Sequence, residues 1–254
     1  MNLDRIIAVR NTKTVYRDQD KCIKVFSENF SKASILNEAL NQARIEETSL
    51  NIPRIHEVTV VDGRWSIVSE YIKGKTLAQL MEEAPEKKAE YFDLFVTLHL
   101  QVQACSVPLL TKLTDRLSYH IDRSDLSATS RFALLARLQT MPTHRKLCHG
   151  DFTPSNVVIT EEGVPYILDW AHATQGNASA DAATTYLRLK MTMSDADAET
   201  YLDLLCSKSQ TEKKTILNWL PFVATAQLAK AGETKKAILL PYVNAAYHQE
   251  GEIS

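Results

Sequence analysis

The sequence predicts an α+β fold of two lobes, a small β-rich lobe over residues 1–70 with one helix and a larger, mostly helical lobe over residues 77–254, joined by a connector at 71–76. Two observations predict this division. Two β-hairpin patterns flank one helical pattern before residue 70, whereas helical patterns dominate after residue 76. One short hairpin pattern interrupts the helical part. At 254 residues, the chain is long enough to bury one good core or two modest ones.

Hairpins are predicted at both ends of the first lobe. Residues 14–17 and 22–26 are β-branched or aromatic runs around the polar turn "DQDK", and an extra strand is expected at residues 4–9. The second hairpin lies in "NIPRIHEVTVVDGRWSIVSEYI", where Asp62-Gly63 is a strong tight-turn dipeptide. These strands predict a small antiparallel sheet.

Residues 32–48 lie between the two hairpins and predict a helix. They contain no glycine or proline, and apolar residues recur at Leu36, at Ala39 or Leu40, and at Ala43, which is helical spacing. The first lobe is therefore expected to order its elements as hairpin, helix, hairpin.

The second lobe is expected to hold helices at residues 76–83, 86–104 and 127–140, and several more after Ala180. Ser194 before "DADAETYLDLLC" is a credible N-cap, with acidic residues in the first turn. The exception is the segment 156–169, where "VVIT" and "PYILDW" surround "EEG" and predict a small hairpin.

Composition favours a soluble, cytoplasmic protein. The chain is 44% hydrophobic and 24% charged, and its formal net charge of −2 gives no electrostatic reason to expect nucleic acid or an anionic membrane as a partner. It has no run of 18 apolar residues, and its N-terminus is a poor signal peptide. The four cysteines are far apart, so reduced thiols are expected; Cys148 is expected to be a buried core residue rather than a nucleophile.

The stretch "LCHGDFTPSN" contains candidate catalytic and metal-binding residues. Asp151 and Asn156 lie five residues apart, and the hairpin that follows returns the chain to Asp169. Singly these would be turn residues. Together they are expected to converge, because two antiparallel strands return the chain to where it began. An amide oxygen and a carboxylate are hard ligands that Mg²⁺ prefers beside phosphate oxygens. The remaining carboxylate can then accept a proton from an attacking hydroxyl.

A polyphosphate also needs a cation, and Lys24 in "DKCIKVF" is the candidate. Strand alternation places it on one face with Cys22 and Phe26. Glu38, fourteen residues further on in the predicted helix, is the candidate carboxylate to orient that lysine; Glu46 and Glu47 lie about two turns beyond it.

These motifs together resemble the aminoglycoside phosphotransferase / choline kinase family of kinase-like enzymes. The resemblance spans about residues 14–187 and rests on "HGDFTPSN", "YILDW", "IKVF" and the helical glutamate. It implies a bilobal protein-kinase-like fold and the cofactors ATP and Mg²⁺. It implies that Asp151 is the catalytic aspartate that positions and deprotonates the acceptor hydroxyl, and that Asn156 and Asp169 hold Mg²⁺ on the nucleotide.

The resemblance implies further roles. Lys24 would contact the α- and β-phosphates with Glu38 as its ion-pair partner, and the backbone of Glu70 and Ile72 would meet the adenine edge at an interlobe hinge. His149 and Asp181 would support the catalytic loop. For Asp181, simple helix N-capping is an equal alternative. His172 is expected to be an ordinary loop histidine.

One departure concerns the segment that should cover the phosphates, which reads "VRNTKTVY" and holds no glycine. Glycine there lets backbone N–H groups approach phosphate closely. Asn11 tolerates the left-handed region, and Lys13 is long enough to contact phosphate directly; the sequence does not decide between them.

The predicted acceptor is a small molecule. Thr153 stands where protein kinases usually carry lysine, and the twelve residues from Asp169 to Asp181 leave little room for an activation segment. An aminoglycoside needs an acidic pocket, for which the candidates are Asp195, Asp197, Glu199 and Asp203, although macrodipole pairing explains them better. A choline-type substrate needs an aromatic cage, for which the candidates are Trp170, Tyr186, Tyr201 and Trp219. Sugars are equally open.

The sequence therefore predicts an ATP- and Mg²⁺-dependent phosphotransferase that acts on a hydroxyl of an aminoglycoside-, amino-alcohol- or sugar-like molecule. The alternative is a nucleotide-binding pseudokinase that acts as a regulatory module, which the glycine-free loop favours mildly. Nothing in the sequence indicates the oligomeric state.

Overall fold

The chain forms two compact units in the computed structural model, which describes residues 3, 5–10, 12–228 and 231–248, the last four of these by their backbone alone. The first unit comprises the residues up to Lys88 together with Pro154–Ala173. The second comprises Ala89–Thr153 together with the residues from Thr174 onward. The sequence predicted that residues 71–76 connect the two lobes as a hinge, and this stays a prediction.

The strands, in chain order, are β1 (Arg5–Val9), β2 (Lys13–Asp18), β3 (Lys21–Phe26), β4 (Ile55–Val61), β5 (Arg64–Glu70), β6 (Gly74–Thr76), β7 (Lys146–Cys148), β8 (Val157–Thr160), β9 (Pro165–Ile167) and β10 (Thr174–Gly176). The helices are α1 (Lys32–Ile45), α2 (Leu77–Glu83), α3 (Lys88–Ala104), α4 (Leu113–Asp122), α5 (Ala128–Gln139), α6 (Ala178–Thr192), α7 (Asp195–Ser209), α8 (Lys213–Leu217), α9 (Leu220–Leu228) and α10 (Glu233–His248). Short 3₁₀ turns lie at Pro85–Lys87, Pro154–Asn156 and Trp170–His172.

The first unit is built on an antiparallel sheet. Strands β1 to β5 pair in the order β1-β2-β3-β5-β4, which confirms both predicted hairpins. Asp62 and Gly63 have φ of 48° and 75° at the β4–β5 turn, the left-handed backbone that a two-residue turn of this hand requires. Asp4, where the extra strand was expected to begin, lies outside the described residues, as does Asn11.

Helix α1 forms where it was predicted but buries a different face. Leu36 and Leu40 are 43% and 48% exposed, and Ala43 is also exposed. The buried face instead carries Ile35, Glu38, Ala39, Asn41, Gln42 and Ile45. Of the residues that predicted the helix, Ala39 is buried, and it packs with Ile35, Phe26 and Ile67 in one hydrophobic core.

A second sheet completes the first unit. β8 and β9 form the predicted small hairpin, and β6 adds to β8, which the sequence analysis did not predict. The amide of Ile167 also donates to the carbonyl of Asn51 at 2.9 Å. These bonds fix a segment from late in the chain onto the first unit.

The second unit is mostly helical, with α4 as a helix that the sequence analysis missed. Its two-stranded ladder pairs Cys148 with Thr174 and Leu147 with Gln175, so that β7 leads into the "HGD" loop from a fixed position. Ser194 caps α7 as predicted, and Ser127, where a helix was predicted to begin, caps α5. No described helix is both long enough and apolar enough to cross a membrane.

Ser194→Ala is expected to lower the free energy of unfolding by about 1 kcal/mol, since the Ser194 hydroxyl accepts the Asp197 amide at 3.1 Å and satisfies a helix-end donor. Urea unfolding followed by circular dichroism measures this change. The matched control, Ser207→Ala on the exposed face of the same helix, should not destabilise. An equal loss in both variants would contradict a capping role.

Candidate active site

Two lysines and two carboxylates meet in the first unit. Glu38 Oε1 lies 2.9 Å from Lys24 Nζ and 3.2 Å from Lys13 Nζ. Asp169 Oδ1 lies 3.3 Å from Lys13 Nζ and 3.5 Å from Lys24 Nζ. The structure thus brings Lys24, Glu38 and Asp169 together and adds Lys13, which the sequence analysis noted only as a residue long enough to contact phosphate. We call these four residues the ion cluster.

The strand pairing explains the position of the two lysines. In the β2–β3 ladder Lys24 is opposite Val15 and Lys13 is opposite Phe26. Since side chains alternate along a strand, all four lie on one face of the sheet. Lys13 and Lys24 are then diagonal neighbours, a separation that long side chains can bridge.

The ion cluster is held in its charged state by its own members. Burial opposes the charge of Lys24, but the charges of Asp169 and Glu38 outweigh it and raise the pKa of Lys24 above its ordinary value. Burial likewise opposes ionisation of Asp169, yet Lys24, Lys13 and His172 hold the pKa of that carboxyl well below its ordinary value. At neutral pH Asp169 is therefore ionised and Lys24 is protonated.

Asn156 and Asp169 stand at the two ends of the β8–β9 hairpin. Val157 pairs with Ile167, and the Leu168 amide donates to the Asn156 carbonyl at 2.7 Å. Asp169 has a φ of 59°, a left-handed conformation that is uncommon for a residue other than glycine. The chain that leaves Asn156 and the chain that enters Asp169 are therefore adjacent.

In the second unit, a buried carboxylate holds the "HGD" loop. Asp181 accepts the backbone amides of His149 and Gly150, both at 2.8 Å, and is 2% exposed. The N-cap of α6 is Asn177, whose side chain accepts the Ser179 amide at 2.8 Å. Asn177 therefore caps α6, whereas the Asp181 carboxylate binds the amides of the loop.

His99 is a member of this network that sequence reasoning missed. Its Nε2 lies 2.9 Å from Asp181 Oδ2 and its Nδ1 lies 2.8 Å from the Tyr201 hydroxyl. Its ring stacks on Phe152 with centroids 4.3 Å apart. The available signal was the pair His99 and Gln103, polar residues one turn apart on the otherwise apolar buried face of α3.

Burial raises the pKa of Asp181, but the hydrogen bond from His99 and the charges and amides around it outweigh burial and lower that pKa below its ordinary value. His149 is fully buried, and its Nδ1 accepts the Asp151 amide at 3.2 Å. The loop around Asp151 is therefore held by buried polar groups on both sides of Gly150. Cys148 is fully buried and its burial raises the pKa of the thiol, as fits a core residue.

Asp151 itself is accessible. Its side chain is 25% exposed, and its Oδ1 lies 3.0 Å from Nε of Arg188 on α6. The sequence analysis did not single out Arg188, because an arginine on a predicted helix carries no signal of its partner.

The two residues expected to meet adenine lie at the end of the large sheet. Glu70 is the last residue of β5, and its amide donates to the Arg54 carbonyl at 2.8 Å. Ile72 is half-buried between β5 and β6. Because this amide is already engaged, a backbone contact between Glu70 and a base would use the Glu70 carbonyl oxygen.

The carboxylates considered for a cationic acceptor are engaged with neighbours. Asp195 pairs with Lys190 at 2.7 Å, and Lys213 pairs with both Glu199 and Asp203, at 2.7 and 2.8 Å. Asp197 accepts from the Ser194 hydroxyl at the helix start.

The aromatic residues considered for a choline-type cage are core residues. Trp170 and Tyr201 are 0% exposed, Trp219 is 1% exposed and Tyr186 is 4% exposed. The Tyr186 ring already has an ammonium group over it, since Lys190 Nζ lies 5.4 Å from its centroid.

Comparisons with known proteins agree with this fold. Residues 10–214 match the sequence profile of the Phosphotransferase enzyme family, also abbreviated APH. Comparison with curated proteins gave no match. Among solved structures, a thermostable mutant of the aminoglycoside phosphotransferase APH(4)-Ia, in complex with AMP-PNP and hygromycin B, is 14% identical; the match covers 98% of this chain and 94% of that one, with a TM-score of 0.71.

Two other solved structures are similar to this chain. The choline kinase LicA from Streptococcus pneumoniae is 15% identical over 98% of this chain and 94% of its own, with a TM-score of 0.66. The streptomycin–ATP–APH(2")-IIa complex is 15% identical over 96% of this chain and 90% of its own, with a TM-score of 0.58. At these identities the likeness establishes the kinase-like fold.

A β-rich unit and a helical unit of kinase-like fold define a phosphotransferase of the small-molecule kinase type. Because the family profile matches most of the sequence, the chain belongs to the Phosphotransferase enzyme family. The resemblance and the fold class that the sequence analysis gave are both confirmed.

Asp181→Asn is expected to lower the free energy of unfolding at pH 7 by about 2 kcal/mol, since a neutral amide cannot accept three donors as a buried carboxylate does. Urea unfolding measures the loss, with Asp125→Asn on an exposed site as control.

The same pair of proteins should show a pH dependence of known sign. The folded-state pKa of Asp181 is lowered, so its stabilisation is fully present above the unfolded pKa of about 3.9 and is lost as pH falls through the folded pKa. The stability gap between wild type and Asp181→Asn should be constant above about pH 5 and shrink below about pH 4. A gap that widens on acidification would contradict this assignment.

Proposed function

We propose that this phosphotransferase moves the γ-phosphoryl group of ATP, with Mg²⁺, to a hydroxyl of a small molecule. The observation that carries the proposal is the ion cluster, in which Lys24 pairs with Glu38 at 2.9 Å beside an ionised Asp169. A paired lysine next to an ionised aspartate supplies both kinds of group that a metal–triphosphate needs, a cation for phosphate and a hard oxygen ligand for the metal.

The donor chemistry of Asn156 and Asp169 fits Mg²⁺. Both offer oxygen atoms, and Asp169 stays ionised across the physiological pH range because the lysines lower its pKa. In the described part of the chain no group of three or more His, Cys, Asp or Glu is arranged to hold a metal. Two protein ligands beside substrate phosphates are usual for Mg²⁺, which when bound would neutralise charge on the triphosphate.

On the nucleotide, Lys24 is proposed to contact the α- and β-phosphates, with Glu38 fixing the ammonium group. The backbone of Glu70 and Ile72 is proposed to meet the adenine edge. Most of the rate enhancement should then come from positioning and charge neutralisation.

Asp151 is proposed to orient the acceptor hydroxyl and to take its proton as the oxygen–phosphorus bond forms and ADP leaves. Its accessible carboxylate and the buried bonds that hold His149 and Gly150 support this role. Arg188 is proposed as a positioning residue, because its Nε lies 3.0 Å from one oxygen of that carboxylate.

The acceptor is proposed to be aminoglycoside-, amino-alcohol- or sugar-like. Lysine and serine partners already engage the acidic residues that would suit a polycation, and the rings that would suit a quaternary ammonium group are buried. Hygromycin B and streptomycin, named for two of the similar structures, are acceptors to include in a test.

Transfer is tested by turnover of a panel of aminoglycosides, amino alcohols and sugars, with ADP release as the measurement. Asp151→Asn is expected to lower kcat by about 100-fold or more, because the neutral amide cannot take the hydroxyl proton. Asp125→Asn, an exposed aspartate of the same unit, should retain wild-type turnover. Asp151→Asn turning over as fast as wild type would refute the assignment of the base.

Nucleotide binding is tested separately by thermal shift. ATP with Mg²⁺ should raise the Tm of wild type and not that of Asp169→Ala, which lacks the metal-ligand carboxylate. A protein that ATP stabilises but that transfers phosphate to no acceptor would be the pseudokinase, and one that ATP leaves unchanged would contradict the whole proposal.

A further inference from the structure

Lys13 is the member of the ion cluster that the proposed reaction does not yet use. It is the first residue of β2, and its position is fixed by the turn before it. The Arg10 amide donates to the Lys13 carbonyl and the Ser27 amide donates to the Thr12 carbonyl, both at 2.9 Å. β1 and β2 are therefore closely joined at the segment that the sequence analysis expected to cover the phosphates.

The Lys13 ammonium contacts the same two oxygen atoms as that of Lys24. Both lie within 3.2 Å of Glu38 Oε1 and within 3.5 Å of Asp169 Oδ1. The stem of Lys13 crosses the sheet face at Phe26, with Nζ 5.9 Å from the ring centroid, and its side chain is only 12% exposed. A largely buried lysine with two carboxylate partners is held in place, unlike a mobile surface lysine.

Charge counting shows what happens when a metal–nucleotide engages Asp169. The ion cluster alone balances two positive and two negative charges. If Asp169 turned to hold a metal, the ammonium groups of Lys13 and Lys24 would keep only Glu38 as a partner while the metal added positive charge, and these cations would repel each other unless further anions lay among them. The oxygens of a triphosphate supply those anions.

We propose that Lys13 is a second phosphate-binding residue, which contacts the triphosphate together with Lys24 and replaces with a charged side chain the backbone amides that a glycine-containing loop would offer. The inference rests on the proposed function. It explains why a segment without glycine can serve a nucleotide, since a four-carbon side chain needs no close backbone approach.

The experiment compares Lys13→Met, Lys24→Met, the double variant and Lys13→Arg by titration calorimetry with MgATP and with adenosine. Lys87→Met, which removes a charge from an exposed residue of the same unit, is the control. Lys13→Met and Lys24→Met should each weaken MgATP binding about tenfold, the effect of losing one charge-assisted hydrogen bond, and the double variant should weaken it further. Lys13→Arg keeps the charge and should restore most of the affinity.

Adenosine separates phosphate binding from a structural role, because it has the base and ribose without phosphates. Adenosine affinity should stay at the wild-type value in every variant. If Lys13→Met weakens adenosine and MgATP equally, or weakens neither, the Lys13 inference is overturned while Lys24 and the reaction stand. A wild-type protein that binds MgATP no tighter than adenosine would instead overturn the proposed function, and the Lys13 inference with it.

Discussion

Two ammonium groups cannot be placed side by side in a largely buried position unless carboxylates accompany them, and the first unit is organised by that requirement. An unpaired buried charge costs far more than any single apolar contact returns. Helix α1 therefore faces the sheet with Glu38 and leaves Leu36 and Leu40 exposed. Asp169 has a left-handed backbone at the point where its carboxylate lies against both lysines.

In the second unit, buried backbone amides likewise need partners, and hydrogen bonds supply them. The backbone of the "HGD" loop has amides that point inward, and Asp181 accepts two of them while His99 steadies the carboxylate from the other side. A fully satisfied buried network of this kind favours one conformation over its alternatives. Asp151, proposed above as the base, is accessible, while buried hydrogen bonds hold the two residues before it.

Much of this arrangement was predictable from the sequence, because turn residues and strand alternation act locally. The hairpins, the helix that follows them and the spacing from Asp151 to Asp169 all follow from short-range rules. The face that α1 buries did not follow from apolar spacing alone, since Leu36 and Leu40 are exposed whereas Ile35 and Ala39 pack against Phe26 and Ile67 of the sheet. His99 and Arg188 were missed for the same reason: their partners, Asp181 and Asp151, are 82 and 37 residues away in the chain, and apolar periodicity does not encode partners.

The first unit is discontinuous in sequence, and this matters for how the protein is made. Strand β6 finds its partner β8 only after some eighty further residues have been synthesised, and Asn51 receives its bond from Ile167 later still. Contacts this distant in sequence form slowly, because a long loop must close before they contribute. On the ribosome the five-stranded sheet can assemble early, but Asp169 arrives last. Until then Glu38 is the one carboxylate of the ion cluster that Lys13 and Lys24 can share.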